Sequence, residues 1–497
     1  MRGGHDTGGM GLSEAVSSAE RSESAQAADD PQGRLSLGGA SWAMLEGARD
    51  PYIILIVIYI FMPYVAGTVV GDPVKGQALI SQWSQYSGWI VMATAPFLGA
   101  AADRLGRRKI WLAIMSVLMA AMIASLWFTK ADHSGLSVTT TLILTTLVGI
   151  LFTWSEVLHN SLLVRAAGLS SAHKASGLAL SLGNGISVLA LAFTAWAFAL
   201  PGLPETASWG WLPHAPLFGL RRDLHEPERV VVLMSAGIMA LASLPFFLFT
   251  PDAPPTGVPI LSALRAGARS LGSMVLTVSH YKNAAIFLVS RMFYFDGMAA
   301  ILIYSGVYAV GVMKWGALEM LIYGIILSVL AVFGGFVGVW LDHNLGPKRA
   351  VQIEIAMSLL GIIALLGMGP DQILYLWHWN SHAHPHLWDG PFFRTVPEWV
   401  FLLIGFSNAV FITAQYASSR TLLTRLTPPE QTGAFFGVFA LSATATGWLG
   451  PFLVNQGTRI FKSQQGGFAT ITLLLFTGLV GLLFVRGGGR HGARETA

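Results

Sequence analysis

The feature that most constrains this 497-residue chain is a series of long apolar stretches, each followed by a short polar segment. A helix needs about 20 mainly apolar residues to cross the hydrocarbon core of a membrane. About twelve stretches are that long, and we number them spans 1 to 12. They lie near residues 41–66, 79–102, 110–129, 138–163, 175–200, 230–250, 284–312, 318–341, 350–369, 398–420, 433–455 and 467–486. A transmembrane β-barrel would show shorter segments of alternating hydrophobicity. The sequence therefore predicts an all-α integral membrane protein in a lipid bilayer.

The composition excludes several other classes of protein. Charged residues make up 11% of the chain and hydrophobic residues 53%, whereas a soluble domain carries about 25% charged residues. So few charges cannot cover a water-facing surface, which excludes a soluble enzyme and a nucleic-acid-binding domain. The chain has no cysteine, so disulfides and thiol catalysis are excluded as well. It also lacks a Walker A sequence for ATP. We expect neither an enzyme nor a bound cofactor.

The distribution of Lys and Arg predicts the orientation in the membrane. With the amino terminus inside, the inner loops and tail hold 17 Lys and Arg residues and the outer loops hold 9. Positive residues are enriched in cytoplasmic loops. We therefore predict a multi-pass protein of the plasma (inner) membrane with both termini in the cytoplasm.

Short motifs recur in the same order in the two halves of the chain. The matched pairs are Gly99–Asp103 with Gly338–Asp342, Ser161–Arg165 with Thr421–Arg425, and Glu46-Gly47 with Asp296-Gly297. We predict two pseudo-symmetric six-helix bundles at 41–250 and 283–486. A proline-containing cytoplasmic linker at 251–282 would act as the hinge between them. Cytoplasmic tails are predicted at 1–40, where the sequence favours disorder, and at 487–497.

One motif resembles a known family signature. Gly99-Ala-Ala-Ala-Asp103-Arg104-Leu-Gly106-Arg107-Arg108 resembles the loop 2–3 signature of the major facilitator superfamily (MFS), and a degenerate copy ends at Asp342. The resemblance implies the MFS fold and transport by alternating access. It also implies that this cluster latches the two halves together on the cytoplasmic side. Positive-inside sorting alone would explain the arginines, but not Gly99 and Asp103.

More narrowly, the chain resembles the vacuolar-effluxer-like branch of that superfamily. The motifs that carry this resemblance are Gln415–Arg420, Phe435–Ser442, Leu449–Pro451 and Phe293–Gly297. The resemblance implies amino-acid efflux. The chain departs from the branch at Leu45–Asp50, where the branch usually reads Tyr-Asp-Trp-Ala-Asn-Ser.

Polar residues inside the spans of the first half are candidates for substrate or proton contact, because intramembrane charges are costly. Span 1 carries Glu46 and Arg49, which can neutralise each other at a spacing of three. Span 4 carries Glu156, His159 and Asn160 on one helix face, and a histidine beside a carboxylate can titrate near neutral pH. The alternative for span 4 is a polar cluster that orders the neighbouring loop.

The second half offers a corresponding set. Arg291 and Asp296 in span 7 are five residues apart and therefore about 140° apart around the helix, so each is predicted to meet a partner from another helix. Asp296 is either a substrate or proton contact or part of a structural interhelical pair. In span 10, Gln415 and Arg420 are candidates, and Arg420 could hold a carboxylate in a bidentate pair or be one more inner-face cation.

Two further groups have mainly local explanations. Glu354 in span 9 is predicted to form a local ion pair with Lys348 or Arg349. His378, His382, His384 and His386 lie close together in an outer loop and are a weak candidate for a Zn, Ni or Cu site. Because no helix fixes their spacing, a solvated loop is the simpler interpretation.

The sequence as a whole predicts a monomeric secondary transporter that carries a small polar solute, coupled to protons. A sugar or organic-acid symporter and a transport-inactive receptor with the same fold remain alternatives. No nucleic-acid partner is expected.

Overall fold

The structure, a computed structural model, describes residues 35–102, 106–168, 170–254, 260–380, 383–427 and 432–486. Asp103, Arg104 and His382 lie outside the described residues. Eleven helices in the described part are long and apolar enough to cross a membrane. The twelfth is span 2, Pro73–Ala102, whose 30 residues extend about 45 Å. The described part is almost entirely helical, as the apolar stretches predict.

The spans have the following bounds in the structure. Span 1 is Leu37–Val69, span 2 Pro73–Ala102, span 3 Lys109–Phe128, span 4 Val138–Asn160, span 5 Ala172–Ala199, span 6 Glu226–Phe249, span 7 Lys282–Val312, span 8 Ala317–Leu345, span 9 Pro347–Leu366, span 10 Val396–Leu426, span 11 Thr432–Ala445 with Leu449–Phe461, and span 12 Gln464–Leu483. A two-stranded antiparallel hairpin pairs β1 (Gln372–Ile373) with β2 (Trp377–His378) in the loop after span 9.

The predicted hinge between the halves contains a helix, Ile260–Ser279, which we name the linker helix. It packs against spans 2 and 11, one from each half of the chain. The prolines of this region suggested an extended hinge, but they precede the helix and are absent from it. Proline interrupts a helix when it lies in the helix interior. Because the prolines of the linker all precede Ile260, the segment that begins there can be helical.

Span 1 shows how local sequence shapes these helices. Its first turn is capped by the Ser36 hydroxyl, which accepts a hydrogen bond from the Gly39 N–H at 3.0 Å. Pro51 lacks a backbone N–H, and the helix widens into a π-helical stretch, Tyr52–Tyr59, directly after it. Its backbone then leaves helical geometry at Ile60, where φ is −122°. The charged residues of span 1, Glu46, Arg49 and Asp50, all precede this irregular part.

The twelve spans form two bundles, and within each bundle particular spans pack closely against one another. In the first bundle span 1 packs against span 5, span 2 against span 4 and span 3 against span 6. In the second bundle span 10 packs against spans 8 and 9, and span 7 against span 12. Residues 36–38 and Arg486, near the two ends of the described chain, lie on the same side as the loops after spans 4 and 6. We call this side the terminal face and the other the opposite face.

The two bundles are joined by hydrogen bonds near the opposite face. The Gln77 Nε2 of span 2 donates to Thr458 Oγ1 of span 11 at 2.8 Å and to the Gln464 carbonyl at 3.1 Å. Arg459 donates to Gln82 Oε1 at 2.7 Å. We call these five residues the opposite-face latch. The latch holds the bundles together on that side, and the candidate site residues of spans 1, 4 and 10 lie on its terminal side.

Candidate functional site

Arg49 is the centre of a polar cluster in the first bundle. Its side chain is completely buried and forms an ion pair with Glu46. It also donates to Ser155 Oγ at 2.9 Å, and its guanidinium carbon lies 5.2 Å from the centre of the Phe152 ring. The predicted local pairing of Glu46 with Arg49 is therefore present. Ser155 and Phe152 tie this pair to span 4.

His159 lies in the same cluster, but its contacts suit a neutral ring. Its Nε2 lies 2.9 Å from the Trp42 carbonyl, and its Nδ1 lies 3.3 Å from Arg49 Nη2. A carbonyl can only accept and a guanidinium can only donate, so Nε2 carries the proton and Nδ1 accepts. The ring is buried and stacks on the Trp42 indole at 4.2 Å. His159 therefore orients Arg49, which differs from the proton-carrying role that its place beside a carboxylate suggested.

Asp50 completes the cluster and was missed as a site residue. Its carboxylate lies against Gly183 of span 5, where a Cβ would collide with it. It interacts electrostatically with Glu46, Arg49 and Glu156. Asp50 follows Glu46 by four residues, and that spacing places two side chains on one helix face, which is the signal that could have identified it. We call Glu46, Arg49, Asp50 and Glu156 the span 1–4 cluster. It holds three carboxylates around one arginine.

Arg291 and Asp296 do not pair with each other, as their helical spacing predicts. Arg291 Nη1 donates to the Phe439 carbonyl at 2.8 Å and to Ser442 Oγ at 2.5 Å. Its guanidinium carbon lies 3.6 Å from the centre of the Phe439 ring. Asp296 is buried, and its Oδ2 accepts a hydrogen bond from the Gly450 N–H at 2.7 Å. Both side chains therefore reach span 11.

The contact of Asp296 explains how span 11 is built. The helix of span 11 is interrupted after Ala445 and begins again at Leu449, so Asp296 sits at the start of its second part. A carboxylate there satisfies a backbone N–H and complements the positive end of the helix dipole. This geometry favours the structural interhelical role for Asp296 among the two predicted for it.

Span 10 presents one buried and one exposed candidate. Gln415 is buried, and its Nε2 donates to Ser419 Oγ at 2.6 Å, while Ser419 also shares a 2.8 Å hydrogen bond with the Tyr294 hydroxyl. Arg420 is exposed, as is Asn160 of span 4. Tyr416 of span 10 interacts electrostatically with Arg291 of its own bundle, with Glu156 of span 4 and with Arg420. Spans 4 and 10 therefore face each other across the two bundles at this level.

The loop motif after span 2 is described only in part. A Cβ on Gly99 would lie 3.4 Å from Val157 of span 4, so the helices approach closely there. Gly106 has a φ of +67°, which favours glycine. Arg107 is exposed, whereas Arg108 is buried and donates to the Ser161 carbonyl at 2.7 Å. Because Asp103 and Arg104 lie outside the described residues, the latch between the halves at this motif stays a prediction.

Glu354 differs from its prediction. It is completely buried, and its Oε1 accepts a hydrogen bond from Ser418 of span 10 at 2.8 Å. It forms no ion pair among the residues that the structure describes, so the predicted pair with Lys348 or Arg349 is wrong. The reason is that Glu354 faces the bundle interior, while Arg349 is exposed and Lys348 partly so. Asp342, half-buried at the end of span 8, lies beside Ser418, Thr421 and Arg425.

The histidines of the outer loop point in different directions. His384 stacks on Trp379 at 4.1 Å and lies 2.9 Å from the Asn380 carbonyl, while His378 is exposed on β2. His386 lines a surface cavity of about 270 Å³ together with Glu319, Asp371 and Glu398. Within the described part of the chain, no three His, Asp or Glu side chains are arranged to hold a metal ion.

Comparison with known proteins agrees with this architecture. No curated protein sequence matches the chain. Among solved structures, the nucleoside transporter NupG is 12% identical, with a TM-score of 0.60 over 90% of this chain and 98% of that chain. A D-xylose-proton symporter is 14% identical, with a TM-score of 0.58 over 92% and 97%. The inward-open xylose transporter XylE from E. coli is 15% identical, with a TM-score of 0.55 over 90% and 94%. At these identities the likeness shows the fold, which is that of MFS transporters and not of enzymes.

The family is shown by a match to the sequence itself. The family model described as "Vacuole effluxer Atg22 like" matches residues 85–495, which include the described helices from the second half of span 2 to span 12. The chain is therefore a multi-pass MFS-type membrane transporter, and it belongs to the Atg22-like vacuole effluxer family.

Proposed function

We propose that this transporter moves a small zwitterionic solute, an amino acid, away from its terminal face in exchange for protons. The observation that carries the proposal is the opposite charge that the two bundles bring together where spans 4 and 10 face each other, a region that we call the cleft. The first bundle contributes the three carboxylates of the span 1–4 cluster, and the second contributes Arg420 beside Tyr416. A zwitterion has an ammonium group for the first side and a carboxylate for the second.

Arg420 is the proposed ligand of the solute carboxylate. A guanidinium binds a carboxylate through two parallel hydrogen bonds, which fix its orientation. The side chain is exposed and lies beside Tyr416, which in turn lies near Glu156 of the other bundle. A solute held by Arg420 would therefore present its other end to the carboxylates of spans 1 and 4.

Proton coupling follows from the charge of the span 1–4 cluster. Three ionised carboxylates around one arginine leave a net charge of minus two, which is costly inside a membrane protein. A proton on one carboxyl group or the ammonium group of the solute lowers that charge. Because both neutralise the same carboxylates, binding of one favours release of the other, and this competition produces antiport. Asp50 and Glu156 are the proposed proton carriers, while Glu46 stays paired with Arg49.

Alternating access requires the opposite-face latch to open. Gln77, Thr458 and Gln464 hold the two bundles together through neutral hydrogen bonds, each with a net worth of about 1 kcal/mol. Contacts of this strength can be exchanged for others during a transport cycle. We place the terminal face in the cytoplasm and the protein in the plasma membrane, as a monomer.

The orientation can be tested directly because the chain contains no cysteine. Single cysteines placed at Arg107 and at Asp132, which lie on the terminal and opposite faces, can be labelled with an impermeant thiol reagent in intact cells. We expect labelling at position 132 only. Labelling at position 107 only would reverse the orientation.

Solute flux in proteoliposomes tests the function. Purified protein would be reconstituted and offered a panel of amino acids, pentoses and dicarboxylic acids, with and without a pH gradient. We expect flux of one or more amino acids that the gradient accelerates, with loss of the acceleration in Asp50→Asn. Asp132→Asn, on an exposed loop of the same bundle, is the matched control. Flux restricted to sugars or dicarboxylates, or no flux of any solute, would overturn the proposal.

A further inference from the structure

Glu354 is a fully buried carboxyl group whose charge is balanced by none of the residues that the structure describes around it. Its Oε1 accepts from Ser418, but its Oε2 has no hydrogen-bond partner in the described part of the chain. A buried carboxylate without a compensating cation is strongly unfavourable. The group therefore needs a positive partner that the described residues do not provide.

The surroundings of Glu354 increase this need. Asp342 of span 8 interacts electrostatically with it, and Ser418 lies beside both carboxyl groups. One hydroxyl group has a single proton to donate, so it cannot satisfy two carboxylates at once. Asp342 Oδ1 is also buried, with no hydrogen-bond partner in the parts of the chain that the structure covers. Thr421 also lies beside Asp342, but Glu354 depends on Ser418 alone, and two neighbouring carboxyl groups of this kind are arranged to take up one additional cation.

Further oxygen atoms lie in the same interface between spans 9 and 10. Ser358 is one helical turn from Glu354, and Gln415 is one turn from Ser418, both in the direction of the opposite face. Both side chains are completely buried, and Ser358 Oγ and Gln415 Oε1 have no hydrogen-bond partner among the described residues. Unpartnered buried oxygens are rare in proteins, and a bound ion or water is one explanation for them. Oxygen is also the donor atom that hard cations prefer.

The charged and titratable groups around Glu354 come from a few helices only. Span 7 contributes Tyr294 and span 8 contributes Asp342, with Arg425 of span 10 close to Asp342. On span 9 itself, Lys348 and Arg349 form no ion pair with Glu354. Span 12 also packs against span 9, but it contains no charged or titratable residue. Arg425 balances at most one of the two carboxylates.

We propose that Glu354, Asp342 and Ser418 form a second cation site that takes up one monovalent cation, a proton or Na⁺. It lies inside the second bundle and is separate from the span 1–4 cluster. The site adds a cation to the transport cycle without competing with the solute, since the solute cleft lies between the bundles. Occupation of the site would change the packing of span 9 on span 10.

The test uses the full chain in lipid nanodiscs and measures binding, not transport, so its result is independent of the proposed transport function. Infrared difference spectra of wild type and Glu354→Gln at neutral pH report a protonated carboxyl group. Melting temperatures in NaCl and in choline chloride of equal ionic strength report Na⁺ binding. Glu319→Gln is the matched control, because Glu319 caps the first turn of span 8 in the same bundle.

If the site takes up a proton, we expect a carboxylic-acid band in wild type and in Glu319→Gln that Glu354→Gln lacks. If it takes up Na⁺, we expect NaCl to raise the melting temperature by at least about 2 °C in the same two proteins but not in Glu354→Gln. Ser418→Ala, which removes the shared hydroxyl, should weaken either signal and serves if Glu354→Gln fails to fold. Absence of both signals from wild type, or their persistence in Glu354→Gln, would overturn the proposal.

Discussion

In the first bundle one buried arginine serves three carboxylates, whereas in the second bundle the buried arginine and the buried carboxylates are kept apart. Arg49 pairs with Glu46 and lies near Asp50 and Glu156. Arg291, in contrast, contacts the Phe439 ring, its carbonyl and Ser442. The two halves share a helix order, but their interior electrostatics have diverged.

The comparison also shows which residues correspond in space. The sequence motif aligns Glu46-Gly47 with Asp296-Gly297. By their contacts, however, Asp50 is the closer counterpart of Asp296, because Asp50 lies on Gly183 of span 5 and Asp296 on Gly450 of span 11. In the first bundle this carboxylate joins a charged cluster, and in the second it caps a helix. The two corresponding carboxylates therefore have different roles: Asp50 takes part in charge compensation, and Asp296 stabilises the start of a helix.

The largest expected difference between the two bundles is the effect of replacing the buried arginine of each one. Arg49→Met should leave uncompensated buried carboxylates and cost about 3–5 kcal/mol of stability, with loss of transport. Arg291→Met should cost only about 1–2 kcal/mol, because it removes hydrogen bonds and ring contacts but strands no charge. Melting temperatures of the two purified variants test the difference. Equal losses would mean that the two environments are electrostatically alike.

A second way is to separate charge from hydrogen bonding at Asp296. Asp296→Asn keeps an oxygen to accept from the Gly450 N–H and should retain most of the stability. Asp296→Ala leaves that buried N–H unpaired and should cost about 1–3 kcal/mol. Thermal unfolding of both variants, with transport assayed alongside, distinguishes the roles. If Asp296→Asn keeps its stability but abolishes transport, Asp296 is a substrate or proton contact instead of a structural cap.

A smaller effect is expected from the latch between the two bundles. Gln77→Ala removes two hydrogen bonds and should shift the balance of conformations by about 1–2 kcal/mol, roughly a 5- to 30-fold change in population. A single cysteine at Ser84 of span 2, on the terminal side of the latch, would report this as faster labelling from the opposite face. Gln372→Ala, in the hairpin on the same face, is the control. Unchanged labelling would mean that the latch does not hold this path closed.

The smallest effect concerns a histidine outside the spans, which contrasts with the buried His159. The pKa of His225 is raised because its Nδ1 hydrogen-bonds Glu228 Oε1 at 3.2 Å, an effect that outweighs its partial burial. A raised pKa in the folded state means that the pair stabilises the protein below about pH 6.5. This stabilisation is lost as the pH rises through the folded-state pKa. Glu228→Gln should therefore lower the melting temperature more in mild acid than at alkaline pH. The loss in free energy of unfolding should be less than about 1 kcal/mol, because the pair is partly exposed. An equal loss at both ends of the pH range would contradict the assignment.

Much of the fold follows from the sequence because membrane helices are specified by local composition. Even span 2, which contains Gln77, Gln82 and Gln85, could be recognised by its length. The linker helix could not, because an amphipathic segment that follows several prolines is equally compatible with a loop. A helix can therefore be predicted where the composition of its own segment is sufficient to specify it.

The site was only partly predictable because its chemistry depends on which helices meet. Glu46 with Arg49, and Arg291 apart from Asp296, follow from helical spacing alone. The neutral ring of His159 depends on Trp42, more than a hundred residues away. Glu354 looked paired because two cations precede it, but the rotation of span 9 directs it to Ser418 instead. Tertiary contacts of this kind leave no trace in one helix's sequence.

The most direct test of the proposed coupling compares Asp50→Asn with Asp296→Asn in proteoliposomes that carry out amino-acid flux. Each variant would be assayed for exchange of solute across the membrane at equal pH and for accumulation driven by a pH gradient. We predict that Asp50→Asn keeps exchange but loses gradient-driven accumulation, and that Asp296→Asn keeps both. Gradient-driven accumulation that survives in Asp50→Asn, or that is lost only in Asp296→Asn, would contradict the assignment of proton coupling to the span 1–4 cluster.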